Sequence, residues 1–260
     1  MWILAASIFF ACKVLTRNSI DSAGVASWRQ WAYILAWPGM NAARFFAVGP
    51  ATQVEPPASR EWITGTINLI SGIIIFWTAQ HWLPASPPLL LGWAGMIGVV
   101  LMLHFGSFHL MSCFWRSVGI DAPPLMNRPT HSTSVVEFWG RRWNTAFRDL
   151  TYLFLFRPLR SRVGPVAALV VGFFISGIVH DLVISVPAEG GYGGPTIFFV
   201  IQAAAILFER SSLGRALGLA RGWRGWVFTA LILLLPVRLL FHDPFVTRIV
   251  LPFMHALGAA

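Results

Sequence analysis

V-G-P-V-A-A-L-V-V-G-F-F-I-S-G-I-V-H-D-L, residues Val163 to Leu182, is the stretch from which the fold is read. It matches the run of about 20 apolar residues that a membrane-crossing helix needs. Its far end carries His180 and Asp181. His180 lies about fifteen residues beyond Pro165, roughly 22 Å along a helix rising 1.5 Å per residue. An ionisable group at such depth is costly, and a helix that only anchors has no use for one, so the pair marks a functional site. Gly172, Ser176 and Gly177 precede it, small residues that admit a neighbouring backbone or leave room for a ligand. A neutral imidazole presents a free lone pair, the form a general base needs. The plainer alternative is a buried histidine satisfied by a cross-helix hydrogen bond. Asp181 lies about 100° further round the helix and does not share the face of His180.

Composition agrees with a membrane setting. Of 260 residues, 56% are hydrophobic and 11% charged, and the mean hydropathy is +0.67. A soluble domain carries roughly 25% charged residues. The net charge of +9 could suggest nucleic acid, but the basic residues fall in a few loops and form no phosphate-tracking block. Cys12 and Cys113 both lie in or beside apolar runs, so no disulfide framework is expected.

Seven spans are expected: about 1–16, 63–83, 88–112, 163–186, 195–208, 225–241 and 245–258. Met1–Ala11 is apolar and its charges, Lys13 and Arg17, follow it, the reverse of a signal peptide; an uncleaved first helix is expected. Trp28–Trp37 is too short to cross and suits the interface, which tryptophan favours. Breaks are expected at Pro84–Pro88, Gly190–Pro195 and His242–Pro244. On this path the basic loops fall on one side, which the positive-inside rule makes cytoplasmic. The bias toward arginine over lysine points to a bacterial inner membrane. The chain reads as all-α: a single polytopic membrane bundle over 1–260, with interfacial helices.

Ser134 followed by Glu137 has the spacing of a capping box, so a helix is expected to start there. If it continues to Leu150, then Glu137, Arg141, Asn144 and Arg148 form one polar face, opposite Trp139, Trp143, Phe147 and Leu150. An interfacial anchor has this pattern too, but an anchor favours charges where Asn144 supplies an amide donor and acceptor. His104 and His109, five residues apart, are separated by about 140° and form no same-face metal pair. With no H-E-x-x-H motif and no Cys/His cluster in the sequence, no zinc is expected. There is no phosphate-cradling G-x-x-x-x-G-K-[ST] and no G-x-S-x-G elbow.

P-L-M-N-R-P (Pro124–Pro129), S-T-S-V-V-E-F-W-G-R-R-W-N (Ser132–Asn144) and S-G-I-V-H-D-L (Ser176–Leu182) resemble the membrane-bound O-acyltransferase family, specifically its wax-synthase-like branch. W-P-G-M (Trp37–Met40) is a weaker echo, and the resemblance covers roughly 37–209. It implies transfer of an acyl group from acyl-CoA, as co-substrate and with no bound cofactor, to the hydroxyl of a lipophilic acceptor such as a fatty alcohol or a terpenoid. Carried over by motif position, Asn144 and His180 are the catalytic pair. Trp143, Ser176, Asp181, Arg141 and Arg142 are candidate substrate contacts, the arginines toward the phosphates of CoA. Membrane lipids are the other expected partners. The competing readings are a non-enzymatic transporter using His180 and Asp181 as a relay, and an inactive binding scaffold. A transporter more often shows a repeated pair of half-bundles, which is not apparent.

Overall fold

The computed structural model describes residues 1–21, 24–47, 54–83 and 87–260, and these are helical without a single strand. They form two compact units, residues 2–126 with 254–260, and residues 127–253. Four helices are long and apolar enough to cross a membrane: Ser59–Trp82, Pro88–Ser117, Thr145–Ala188 and Gly222–Leu240. Each contains or overlaps an expected span. At most 22% of their apolar windows is buried by protein, leaving the apolar surface that a bilayer covers. The other three expected spans fall on shorter pieces: Trp2–Asn18 and Gly194–Arg210, 17 residues each, and a last helical stretch that runs through Asp243–Phe245, the π-helical Val246–Val250 and Leu251–Ala256. By length and composition the described residues therefore supply four crossings where seven were expected.

The first unit contains α1 (Trp2–Asn18), α2 (Ser27–Leu35), α3 (Ala42–Phe46), α4 (Ser59–Trp82) and α5 (Pro88–Ser117). Its aromatic core joins Tyr33, Trp37, Phe45, Phe46 and Trp115, with ring centres 5.2–6.3 Å apart. Lys13 is wholly buried there: Nζ donates to Gly39 O at 2.6 Å and stands 3.2 Å from the centre of the Tyr33 ring. The W-P-G-M segment thus serves as the carbonyl partner of a buried ammonium. Trp28, Trp31 and Leu35 of α2 are all more than half exposed, as an interfacial helix requires. Helices α4 and α5 meet backbone to backbone, since a Cβ on Gly72 would lie 2.6 Å from Met102 N and 2.7 Å from Gly98 O. Of the turn expected between them, Pro84–Ser86 lies outside the described residues.

The second unit begins with α6 (Val135–Glu137, continuing as a π-helical turn, Phe138–Arg142), then α7 (Thr145–Ala188), α8 (Gly194–Arg210), α9 (Ser212–Ala216) and α10 (Gly222–Leu240). The arginine-rich segment before Val163 is helical: α7 starts at Thr145 and kinks at Gly164 (φ 82°, ψ 166°). Only glycine adopts that conformation without steric cost, and Pro165 after it lacks the N–H that would continue the ladder. The expected Gly190–Pro195 break is present as a turn with Gly191 and Gly193 at positive φ. Val135, Ala205 and Ile206 form one buried cluster of this unit, with Trp139, Leu169, Phe173, Phe228 and Ile232 packed on them. Trp226 Nε1 donates to Thr130 O at 2.8 Å, tying α10 to the segment before α6.

Candidate functional site

Ser134 is the N-cap that its spacing predicted: Glu137 N donates to Ser134 Oγ at 3.0 Å. The returning half of the box is shifted by one residue, because the Glu137 carboxylate accepts from Thr133 N at 2.8 Å. Burial alone would raise the Glu137 pKa, but the Thr133 N–H and the Arg142 guanidinium bring it below the ordinary carboxylate value.

The single amphipathic helix expected over Ser134–Leu150 is broken. Trp143 N donates to Phe138 O at 2.8 Å, closing a π turn that adds a residue, and Trp143 is then extended. Asn144 follows in the left-handed region at φ 41°, ψ 62°. Asparagine is among the few non-glycine residues that occupy this region readily, and such conformations gather at functional sites. The 3.6-residue period therefore does not run through 143–144, and the proposed four-residue polar face does not exist as one face.

What α6 presents instead is a wedge against α7 and α8. Trp139 packs on Phe173 and Phe199, with ring centres 6.0 and 5.5 Å apart, and its Nε1 donates to Gln202 Oε1 at 3.2 Å. The wholly buried Gln202 passes the connection on, its Nε2 donating to Ile232 O at 3.0 Å. The Glu209 carboxylate, 1% exposed, accepts from Val135 N at 2.8 Å and Val136 N at 3.0 Å. Those two amides open α6 and have no intrahelical acceptor. Replacing Glu209 with glutamine puts an amide NH2 where one acceptor stood. The expected cost is about 1–3 kcal/mol, read as a lower melting temperature in detergent, and unchanged melting would mean α6 is held by other contacts.

His180 ends the regular part of α7, just before a π turn over Asp181–Ser185. Its Nδ1 lies 2.7 Å from Ser176 O, and a carbonyl only accepts, so Nδ1 carries the proton and Nε2 the lone pair. Phe199 packs on the imidazole with ring centres 4.5 Å apart. Phe199 is thus the shared neighbour of His180 and Trp139, and through it the two sequence motifs meet.

Asp181 turns toward the start of α8. Its carboxylate accepts from Gly193 N at 2.8 Å, Thr196 N at 3.0 Å, Ser185 Oγ at 2.8 Å and Thr196 Oγ1. A Cβ on Gly177 would lie 2.6 Å from Thr196 Cα, so only glycine permits this approach of α7 to α8. Ser185 Oγ also meets Nε2 of His242 at 3.1 Å, while His242 Nδ1 accepts from Phe245 N at 3.2 Å. His242, which opens the expected His242–Pro244 break, is buried with 7% exposure.

The other sequence candidates are placed as follows. Ser176 supplies its carbonyl to His180, and its hydroxyl donates to Gly172 O at 2.9 Å. Trp143 stacks on Phe138, centres 5.6 Å apart and 11° between planes. Arg142 is paired with Glu137 at 2.7 Å and donates to the carbonyls of Asn127 and Arg128 at 3.3 Å, stitching the end of P-L-M-N-R-P to F-W-G-R-R-W-N. Arg141 is exposed.

Residues 122–201 match the model of the membrane bound O-acyl transferase family. The matched residues contain Asn144, His180, Asp181, Thr196 and Phe199, and with the four apolar helices they make the chain an integral membrane protein. It is similar to a probable long-chain-alcohol O-fatty-acyltransferase 8 of Arabidopsis thaliana, 27% identical over 160 residues that cover 58% of this chain and 47% of that protein. It is also similar to a long-chain-alcohol O-fatty-acyltransferase of Simmondsia chinensis, 34% identical over 74 residues, 25% of this chain and 21% of that one. An acyl-CoA–sterol O-acyltransferase 1 of Arabidopsis thaliana shares 34% identity over 71 residues, again 25% and 21% of the two chains. The chain thus spans less than half the length of the relatives it matches. These relatives are plant proteins and lend no support to the bacterial membrane expected from arginine usage.

Sequence reasoning missed Gln202, Glu209 and Phe199. The signal for the first two was present: they stand seven residues apart, on one face of a helix that is apolar between Thr196 and Arg210 apart from them. It missed as well that Glu61 of α4 and His109 and Cys113 of α5 bring their potential ligand atoms within 4.8 Å of one another. These three are the described residues able to hold a metal ion as a group.

Proposed function

We propose that this protein is an acyl-CoA-dependent O-acyltransferase that moves an acyl group from a CoA thioester to the hydroxyl of a lipophilic alcohol. The observation that carries the reading is the hydrogen bond from His180 Nδ1 to Ser176 O, inside the family-matched segment. It leaves Nε2 as the basic nitrogen. In the reaction Nε2 takes the proton of the acceptor hydroxyl as its oxygen attacks the thioester carbonyl carbon. The C–S bond then breaks, and the CoA thiolate leaves with the proton returned from Nε2. The Asn144 amide steadies the oxyanion of the tetrahedral intermediate. A water-poor, aromatic-lined site suppresses hydrolysis of the thioester.

The roles of the neighbouring residues follow from their contacts. Asp181 positions His180 and Phe199 rather than touching substrate, because four hydrogen bonds occupy its carboxylate. Arg141 is better placed for the CoA phosphates than Arg142, which Glu137 and two carbonyls hold. Trp143 walls the path of the acyl chain. The basic loops face the cytoplasm, where CoA is met. The relatives named for long-chain alcohols and for a sterol favour a long apolar acceptor.

The test is thiol release by purified protein from acyl-CoAs of two to sixteen carbons, with and without a mixed pool of fatty and sterol alcohols. Alcohol-dependent release with ester formation is expected. Release that ignores the alcohol, or none with any pair, would sink the reading.

A further inference from the structure

His109 and Cys113 stand four residues apart on α5, one above the other on the same helical face. Helix α4 brings Glu61 to them, and the three side chains can each offer one ligand atom, all within 4.8 Å of one another. We infer that Glu61, His109 and Cys113 form a binding site for a zinc-type divalent cation that clips α4 to α5. This goes beyond the acyl-transfer reading and does not depend on it.

The donor set decides the metal class. One thiolate, one imidazole and one carboxylate suit a borderline-soft cation, and exclude calcium or magnesium, which take oxygen ligands. In a tetrahedral zinc site neighbouring ligand atoms stand about 3.5 Å apart. His109 is ready for the role, since its Nε2 is buried and has no hydrogen-bond partner among the described residues. A buried polar atom in that condition requires an explanation, and a metal supplies one. Cys113 is wholly buried, whereas the Glu61 side chain is 30% exposed and gives the cation a way in.

Arg116 fits into this arrangement as a support. Its Nη2 lies 2.5 Å from Glu61 Oε2 and 3.8 Å from Cys113 Sγ. A carboxylate has about four lone-pair directions, and Arg116 with Ala58 N leaves room for one metal bond. Ligating carboxylates are commonly held by such an outer partner. A divalent ion with one thiolate and one carboxylate is itself neutral, and the Arg116 guanidinium beside them leaves the cluster with one positive charge. On binding, the metal–sulfur bond forms as the Cys113 S–H proton is lost to solvent. Three protein ligands leave a fourth position for water.

The experiment is a cobalt(II) titration of the purified full chain in detergent, followed by the thiolate-to-cobalt absorption band. The band is expected to saturate at one cobalt per chain and to bleach when zinc is added. It should disappear in Cys113→Ser, persist in Cys12→Ser, and need at least about tenfold more cobalt in His109→Gln. Zinc should raise the melting temperature of the parent chain but not of Cys113→Ser. No saturable band in the parent chain overturns the site, whatever the variants do. So does a band that survives Cys113→Ser or depends on Cys12.

Discussion

His180→Ala is expected to lower alcohol-dependent thiol release by about 10²–10⁴-fold, the range that a positioned general base supplies. The variant loses one hydrogen bond to Ser176 O and one ring contact to Phe199. It should therefore fold, with melting in detergent reduced only slightly. His180→Gln retains a donor for the Ser176 carbonyl but carries no basic nitrogen, so it should be as inactive as the alanine variant while melting closer to the parent. Recovery of activity in the glutamine variant would make His180 a packing residue and move the base elsewhere. Wild-type turnover in His180→Ala would remove the proposed mechanism altogether.

Asp181→Ala is expected to have the largest effect on stability, about 2–4 kcal/mol, because it strips two backbone N–H groups at the start of α8 of their acceptor along with two hydroxyls. Asp181→Asn keeps one oxygen and should fall between alanine and the parent. The readouts separate positioning from substrate contact. If Asp181 acts through α8 and Phe199, melting temperature and kcat fall together in both variants while KM changes little. If it touches substrate, KM rises in a chain that melts normally, and the positioning role is lost.

These contacts show where the sequence stops being sufficient. The apolar runs, the Gly190–Pro195 turn and the Ser134 cap are all legible, because each depends on residues within a few positions of one another and on the chemistry of lipid or of a single helix turn. The place of His180 at the end of an apolar helix was legible for the same reason: it needs only the rise per residue. The count of spans was less secure, since 17-residue helices sit at the margin where hydropathy does not separate a crossing from a buried helix.

The tertiary structure alone decided the rest. Nothing near Asn144 announces its left-handed turn, which breaks the 3.6-residue period expected over Ser134–Leu150. Val135 is joined to Glu209 across 74 positions and Asp181 to Thr196 across 15, while Trp139 and His180 meet through Phe199 on a third helix. The grouping of Glu61 with His109 and Cys113 likewise needs α4 laid against α5. The sequence by itself determined an all-helical membrane protein with a histidine at the end of an apolar helix, because membrane insertion and helix caps are local matters of hydropathy and spacing. Which polar group answers which buried amide is settled by helix packing, and packing brings together residues whose separation along the chain carries no period to read.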